Sequence, residues 1–173
     1  LEPLPVAELT ERHRAALVDP ARTKSAYFML LARDPDILEA RTRADKDIFH
    51  NATDGLPRAE RELAAVAVSR TNGCLYCASV HARFAAHFSK RQDQVQSLLD
   101  LGLAAPLDPR WKAIAGAAAA LTATPPSFSE AHVTRLREVG LDDAAISDVI
   151  HAAAFFNWAN RLLLSLGEPT AAP

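Results

Sequence analysis

Eleven prolines cut an alanine-rich chain with only six glycines into segments where apolar residues return every three or four positions, and no segment sustains an alternation of period two. Spacing of three and four gives a helix one dry face and one wet face, whereas a half-buried strand needs every second residue apolar. Alanine adds the strongest intrinsic preference for helix. Proline can end one helix or occupy the first turn of the next, so Pro20, Pro35, Pro57, Pro106, Pro109 and Pro125-Pro126 mark the breaks. The expected fold is all-α, with roughly eight to ten mostly short helices. At 173 residues and 49% hydrophobic content, the chain can bury one core without cross-links.

Nineteen basic and twenty-one acidic residues leave a formal charge of -2, which provides no field for nucleic acid or an anionic membrane. The opening Leu1-Glu2-Pro3-Leu4-Pro5 is acidic and proline-broken, so no secretory signal is visible there. The apolar stretches around Ala113 to Leu121 and Ile150 to Ala159 fall short of the ~20 residues a membrane span requires. The expectation is a soluble, cytoplasmic protein with no nucleic-acid and no membrane partner. In that reducing compartment two cysteines in Cys-x-x-Cys spacing point to catalysis or metal binding rather than to a structural cross-link.

Asp54-Gly55-Leu56-Pro57 reads as a turn into a helix from about Arg58 to Arg70, which Asn72-Gly73 stops. A second helix starts at or near Cys74. At 100° per residue, Cys74, Cys77, His81, Phe84 and Phe88 fall in one arc of about 80°, an apolar stripe that carries two thiols and an imidazole and is expected to be buried or partly buried. The preceding helix carries Glu62, Val66 and Ser69 along one side. If the two helices fold back antiparallel, Glu62 lies about 12 Å before the turn and His81 about 10 Å after it, at nearly the same height. Further on, Leu107-Asp108-Pro109-Arg110 opens an alanine-rich helix much as Leu56-Pro57-Arg58 opens the earlier one, the trace of an internal duplication whose second copy has no cysteine. Ser129-Glu130 and Leu141-Asp142-Asp143 read as helix starts, and the last helix carries Phe155 to Leu162.

Cys74 and Cys77 are the only cysteines. On a helix their Cβ atoms lie about 5 to 6 Å apart, close enough for small backbone adjustment to allow a disulfide. A thiolate attacks a peroxide to give a sulfenic acid, and a neighbouring thiol condenses with that acid to a disulfide. Glu62 could orient His81, and His81 could take the thiol proton. The helix start favours a thiolate at Cys74, while the histidine one turn on favours Cys77, so the roles of the two stay open at this point. Plainer readings stand beside this one. The cysteines can be small buried hydrophobes, Cys74, Cys77, His81 and Glu62 have the donor types of a zinc site, and Glu62 can be an exposed carboxylate paired with Arg58. Ser69 and Tyr76 can line a pocket, or cap and pack. His151 reads as a core or interface histidine, Asn160-Arg161 as a tie for the last helix or a contact with a neighbouring subunit, and Trp111, Trp158 and the phenylalanines as core. His13, His50, His87 and His132 have no spacing that implicates them.

Glu62, eleven intervening residues, then Cys74-Leu75-Tyr76-Cys77-Ala78-Ser79-Val80-His81 resembles the Glu-x11-Cys-x-x-Cys-x3-His motif of the alkylhydroperoxidase D (AhpD)-like, carboxymuconolactone decarboxylase superfamily. Leu56 to Ala64 and Asn157 to Arg161 look like its peroxidase-related subgroup. The resemblance implies an AhpD-like helical bundle over residues 51–167, a helical extension over 1–50 packed on it, and a frayed tail over 168–173. It also implies thiol-dependent reduction of organic or hydrogen peroxide, with Cys77 peroxide-reactive, Cys74 resolving, and Glu62 with His81 as proton relay. No cofactor or metal is implied beyond the Cys74–Cys77 dithiol/disulfide. A thiol or dithiol reductant and a homo-oligomer, trimer or hexamer, complete the expectation. Tyr76 departs from the histidine that the best-known peroxidases of the family carry between their cysteines.

Overall fold

Each helix starts where the prolines and short polar side chains place it. The computed structural model describes residues 1–51 and 53–167, so the tail expectation for 168–173 lies outside the described residues. Among the described residues there are nine α-helices and no strand: α1 (Glu11–Leu17), α2 (Ala26–Leu31), α3 (Pro35–His50), α4 (Arg58–Asn72), α5 (Leu75–Ser89), α6 (Gln92–Leu101), α7 (Pro109–Thr122), α8 (Glu130–Glu138) and α9 (Asp143–Leu166). Pro35 and Pro109 sit in the first turns of α3 and α7, and Pro57 is the residue before α4. Asp34, Asp108 and Asp142 accept first-turn amide protons of α3, α7 and α9 at 2.8 to 3.2 Å. Each such cap contributes about 1 kcal/mol.

Helix α4 is the hub, packed against α5, α7 and α9. Ten consecutive residues, Glu60 to Ser69, are buried, so this helix has no wet face. Ala64, Ala65 and Ala67 let the neighbours approach closely, while Leu63, Val66 and Val68 fill the gaps between them. The helices before α4 close over the same core, to which Tyr27, Met29, Leu30, Leu38 and Phe49 contribute.

The first turns of α4 bring charge inside, and every charge there has partners. Arg61 donates to the carbonyls of Leu56, Ile48, Asn51 and Asp54 at 2.6 to 2.9 Å, and pairs with Asp148 at 2.9 Å. Its five donors thus gather the incoming loop and the start of α9 around one planar group. Asp148 also accepts the Leu56 amide at 2.8 Å. This approach is why residue 55 is glycine: at φ +83, a Cβ there would meet Asp148 Oδ2 at 2.1 Å. Glu60 receives Arg110 from α7 through two bonds of 2.7 and 2.8 Å.

At the far end, Asn160 on α9 donates to Ser69 Oγ at 3.1 Å and accepts from Asn72 at 3.2 Å, while Arg161 donates to Thr122 O and Thr124 Oγ1 at 3.3 and 2.6 Å. The pair therefore ties α9 to α4 and to the end of α7. Two core expectations need correction. Trp158 is 42% exposed and Phe88 is 47% exposed, while His151, read as core or interface, is exposed on α9 and so is not core. Among the described residues, no helix is long and apolar enough to cross a membrane.

Candidate functional site

The turn between α4 and α5 sets the register of the site. Gly73 takes the left-handed conformation, φ 75, and its N–H bonds to Arg70 O at 3.3 Å while the Cys74 N–H bonds to Ser69 O at 3.0 Å. These paired bonds end a helix in one step and are why glycine follows Asn72. Cys74 is then the residue that opens α5, its carbonyl accepting the Ala78 N–H at 3.0 Å. Cys74 is 0% exposed and Cys77, one turn further, 4%.

The antiparallel return of α5 along α4 places His81 Nδ1 2.5 Å from Glu62 Oε2. Equal heights on the two helices thus become a direct bond. The other carboxylate oxygen, Oε1, accepts Arg58 Nε at 2.6 Å. The Glu62 side chain is fully buried, so the plain reading is half right: Arg58 is its partner, but the carboxylate is not at the surface. Burying a carboxylate without such partners would cost several kcal/mol, roughly, and here each oxygen has a donor. The His81 ring is held between Phe156 and Phe49, with centroids at 4.1 and 5.6 Å. With Nδ1–H donating to Glu62, Nε2 remains to take a proton.

Cys77, Glu62 and His81 all line one cavity of about 480 Å³, and Cys74 does not. Tyr76 lines it as well, stacked on Tyr27 of α2 with centroids 5.4 Å apart. Burial pushes the Tyr27 phenol up to about 12, and burial also raises Tyr76 despite a hydrogen bond with Ser25. Both phenols are therefore neutral donors at physiological pH. Ser69 packs away from the cavity, fully buried in its bond with Asn160. Among the described residues, no three side chains of His, Cys, Asp and Glu converge as a metal-ligand set, and both Glu62 oxygens are already engaged.

The opposite wall was not read from the sequence. Tyr27 and Phe28 of α2, with Arg41, Asp45 and Phe49 of α3, face the dithiol helix across the cavity. A signal for part of it exists: Arg41 and Asp45 fall on the same side of α3 as the buried Leu38, Thr42 and Phe49, where an outward-facing charge has no place. His50, at the end of α3, also lines the cavity, and burial together with Arg58 lowers its pKa below the usual histidine value.

Residues 35–120 match the model of the Carboxymuconolactone decarboxylase family. A peroxidase-related protein with an alkylhydroperoxidase AhpD core, from Ralstonia eutropha JMP134, superposes with TM-score 0.79 at 27% identity, covering 95% of this chain and 89% of that one. A second peroxidase-related protein, from Silicibacter sp. TM1040, gives TM-score 0.78 at 27% identity over 94% and 86% of the two chains. The debrominase Bmp8 shares the fold, with TM-score 0.74 at 17% identity over 95% and 88%. No curated protein matches the sequence. The resemblance read from the Glu62 to His81 motif holds: residues 35–120 carry this family's segment, within an AhpD-like all-helical fold.

Proposed function

We propose that this protein is a thiol-dependent peroxidase that reduces organic or hydrogen peroxide through a Cys74–Cys77 dithiol/disulfide cycle, with Glu62 and His81 as proton relay. The observation that carries the reading is the 2.5 Å bond between buried Glu62 and His81, on the wall of the cavity that Cys77 also lines. Glu62 accepts from Nδ1–H and so fixes the imidazole tautomer, which leaves Nε2 to accept the Cys77 proton directly or through water. The Cys77 thiolate attacks the near oxygen of the peroxide. An S–O bond forms, the O–O bond breaks, and the leaving alkoxide takes a proton to become an alcohol, or water from hydrogen peroxide. The Cys74 thiol then attacks the sulfenic sulfur, forming the S–S bond and releasing water. Two thiols are oxidised by two electrons, and an external thiol or dithiol returns both electrons and protons.

The cavity supports giving Cys77 the first step, because Cys77 borders it and Cys74 lies behind, fully buried. No metal or further cofactor enters this scheme. The reading also takes the chain as a cytoplasmic homo-oligomer, trimer or hexamer. The exposed side chains Leu75, Phe88 and Trp158 support self-association, and sedimentation would size it.

The test is to mix reduced protein with cumene hydroperoxide and titrate remaining thiols. Loss of two thiols per chain, one equivalent of peroxide consumed, is expected, and no loss removes the peroxidase reading. The family model names a different chemistry, decarboxylation of a lactone acid. Such activity surviving in the Cys74→Ser, Cys77→Ser double variant would favour that second reading.

A further inference from the structure

One charged side chain in the cavity wall lacks the partners its burial demands. Arg41 is 7% exposed, and among the described residues neither its Nε nor its Nη1 has a hydrogen-bond partner. Its remaining nitrogen, Nη2, sits 3.5 Å from Asp45, too long for a strong bond. The guanidinium carbon lies over the rings of Phe155, Tyr27 and Phe28, 5.3, 5.6 and 6.0 Å from their centroids. Those rings favour the cation but accept nothing from the in-plane N–H groups, which need oxygen or nitrogen acceptors. Buried guanidinium donors are ordinarily satisfied, and leaving them unmet is costly.

The surroundings do not supply the missing acceptors. Four arginines border the cavity, Arg22, Arg41, Arg58 and Arg83, against two carboxylates, Asp45 and Glu62. Glu62 is fully engaged by Arg58 and His81. Asp45 alone is left between Arg41 and Arg22, and burial together with the positive charge of Arg41 lowers the Arg22 pKa. Arg22 spends its Nη1 on Leu17 O at 2.9 Å and Thr42 Oγ1 at 3.5 Å. This wall holds more cation than the protein neutralises, in a cavity whose remaining lining is largely aromatic.

We propose that the cavity takes an organic acid with a flat or extended apolar body, its carboxylate held by Arg41 and its reactive end toward Cys77. The proposal rests on the preceding reading only in treating the Cys77 cavity as the substrate site, and it specifies the substrate class as the hydroperoxide of an apolar carboxylic acid. A carboxylate matches the guanidinium edge because two oxygens can accept two parallel N–H bonds. The apolar body lies against Tyr27, Phe28, Tyr76 and Phe84, which supply area without charge.

Binding can be measured without any redox step. Reduced wild-type protein is titrated with 2-naphthoate and with neutral 2-naphthamide, which have the same ring and nearly the same shape, using calorimetry at low and at high salt. The naphthoate is expected to bind about tenfold tighter or more, as one desolvated charge-assisted pair warrants. Arg41→Gln is expected to bring naphthoate to the affinity of the amide while leaving the amide unchanged and the far-ultraviolet helical spectrum intact. Equal affinities in the wild type, or no binding of either, overturn the proposal with no variant needed. An acid preference that survives in Arg41→Gln overturns it too, assigning the charge to another group. Because no peroxide is present, an acid preference together with a failed thiol-loss assay would retire the peroxidase reading and keep the anion site, and the reverse pattern would do the opposite.

Discussion

Arg61 and Arg41 are both buried arginines near the start of the family segment, yet their surroundings are opposite in kind. Arg61 donates to four backbone carbonyls and pairs with Asp148, while Arg41, among the described residues, has two N–H-bearing nitrogens with no acceptor and one distant carboxylate. The first is how a protein uses a guanidinium to hold itself together: the charge gathers loop ends that would otherwise bury their carbonyls unpaired. The second is how a protein looks where a partner from outside completes the bonding. Burial alone does not separate the two roles. Satisfaction of the donors does.

The contrast has measurable consequences. Arg61→Met should have the largest effect, a loss of about 3 to 5 kcal/mol, because it leaves several carbonyls without their donor and removes the cation paired with half-buried Asp148. Chemical denaturation of the variant checks it, and a cost below about 1 kcal/mol would erase the distinction between the two arginines. Glu62→Gln tests a buried charge that is satisfied but satisfied by a reacting group. It should slow thiol oxidation by about a hundredfold while thermal unfolding moves little, as read by stopped-flow kinetics with organic hydroperoxide. Arg41→Met should change stability by less than about 1 kcal/mol, since it removes unmet donors along with the ring contacts that partly compensate them. Unfolding as severe as that of Arg61→Met would make Arg41 a structural residue after all.

The smallest effect concerns His50 beside Arg58. Its folded-state pKa lies below the unfolded value of 6.5, lowered first by burial and then by Arg58, so the unfolded chain binds the proton more readily. The stability it contributes is present above that unfolded value and declines as pH falls through it toward the folded pKa. Denaturation midpoints between pH 7 and 5, roughly, should therefore fall a little less steeply in His50→Gln than in the wild type. An identical slope in both proteins would remove His50 from the charge balance of the cavity.

Much of this architecture can be read in the chain because it is local. Proline and aspartate fix helix starts within a few residues, and the rise per residue equates the heights of Glu62 and His81 before any contact is known. What could not be read is tertiary. The burial of Glu60 depends on a donor from α7 and that of Arg61 in part on a carboxylate from α9, both distant in sequence from α4. Trp158 and Phe88 look like core by residue type, but the helices carrying them turn those positions outward. The cavity has a second wall because α2 and α3 fold over α5, and nothing near Cys74 announces their arrival. Only Arg41 and Asp45, charges on a buried stripe, left a trace of it.

That second wall is drawn from two stretches of the chain. Arg22, Tyr27 and Phe28 precede the family segment, which begins at Pro35, whereas Glu62, Cys74, Cys77 and His81 lie inside it. Arg41, Asp45 and Phe49 of the same wall lie inside that segment as well, so the cavity is assembled from both stretches of polypeptide. The sulfur pair and its histidine thus sit beside a cavity closed on one side by residues from outside the matched segment.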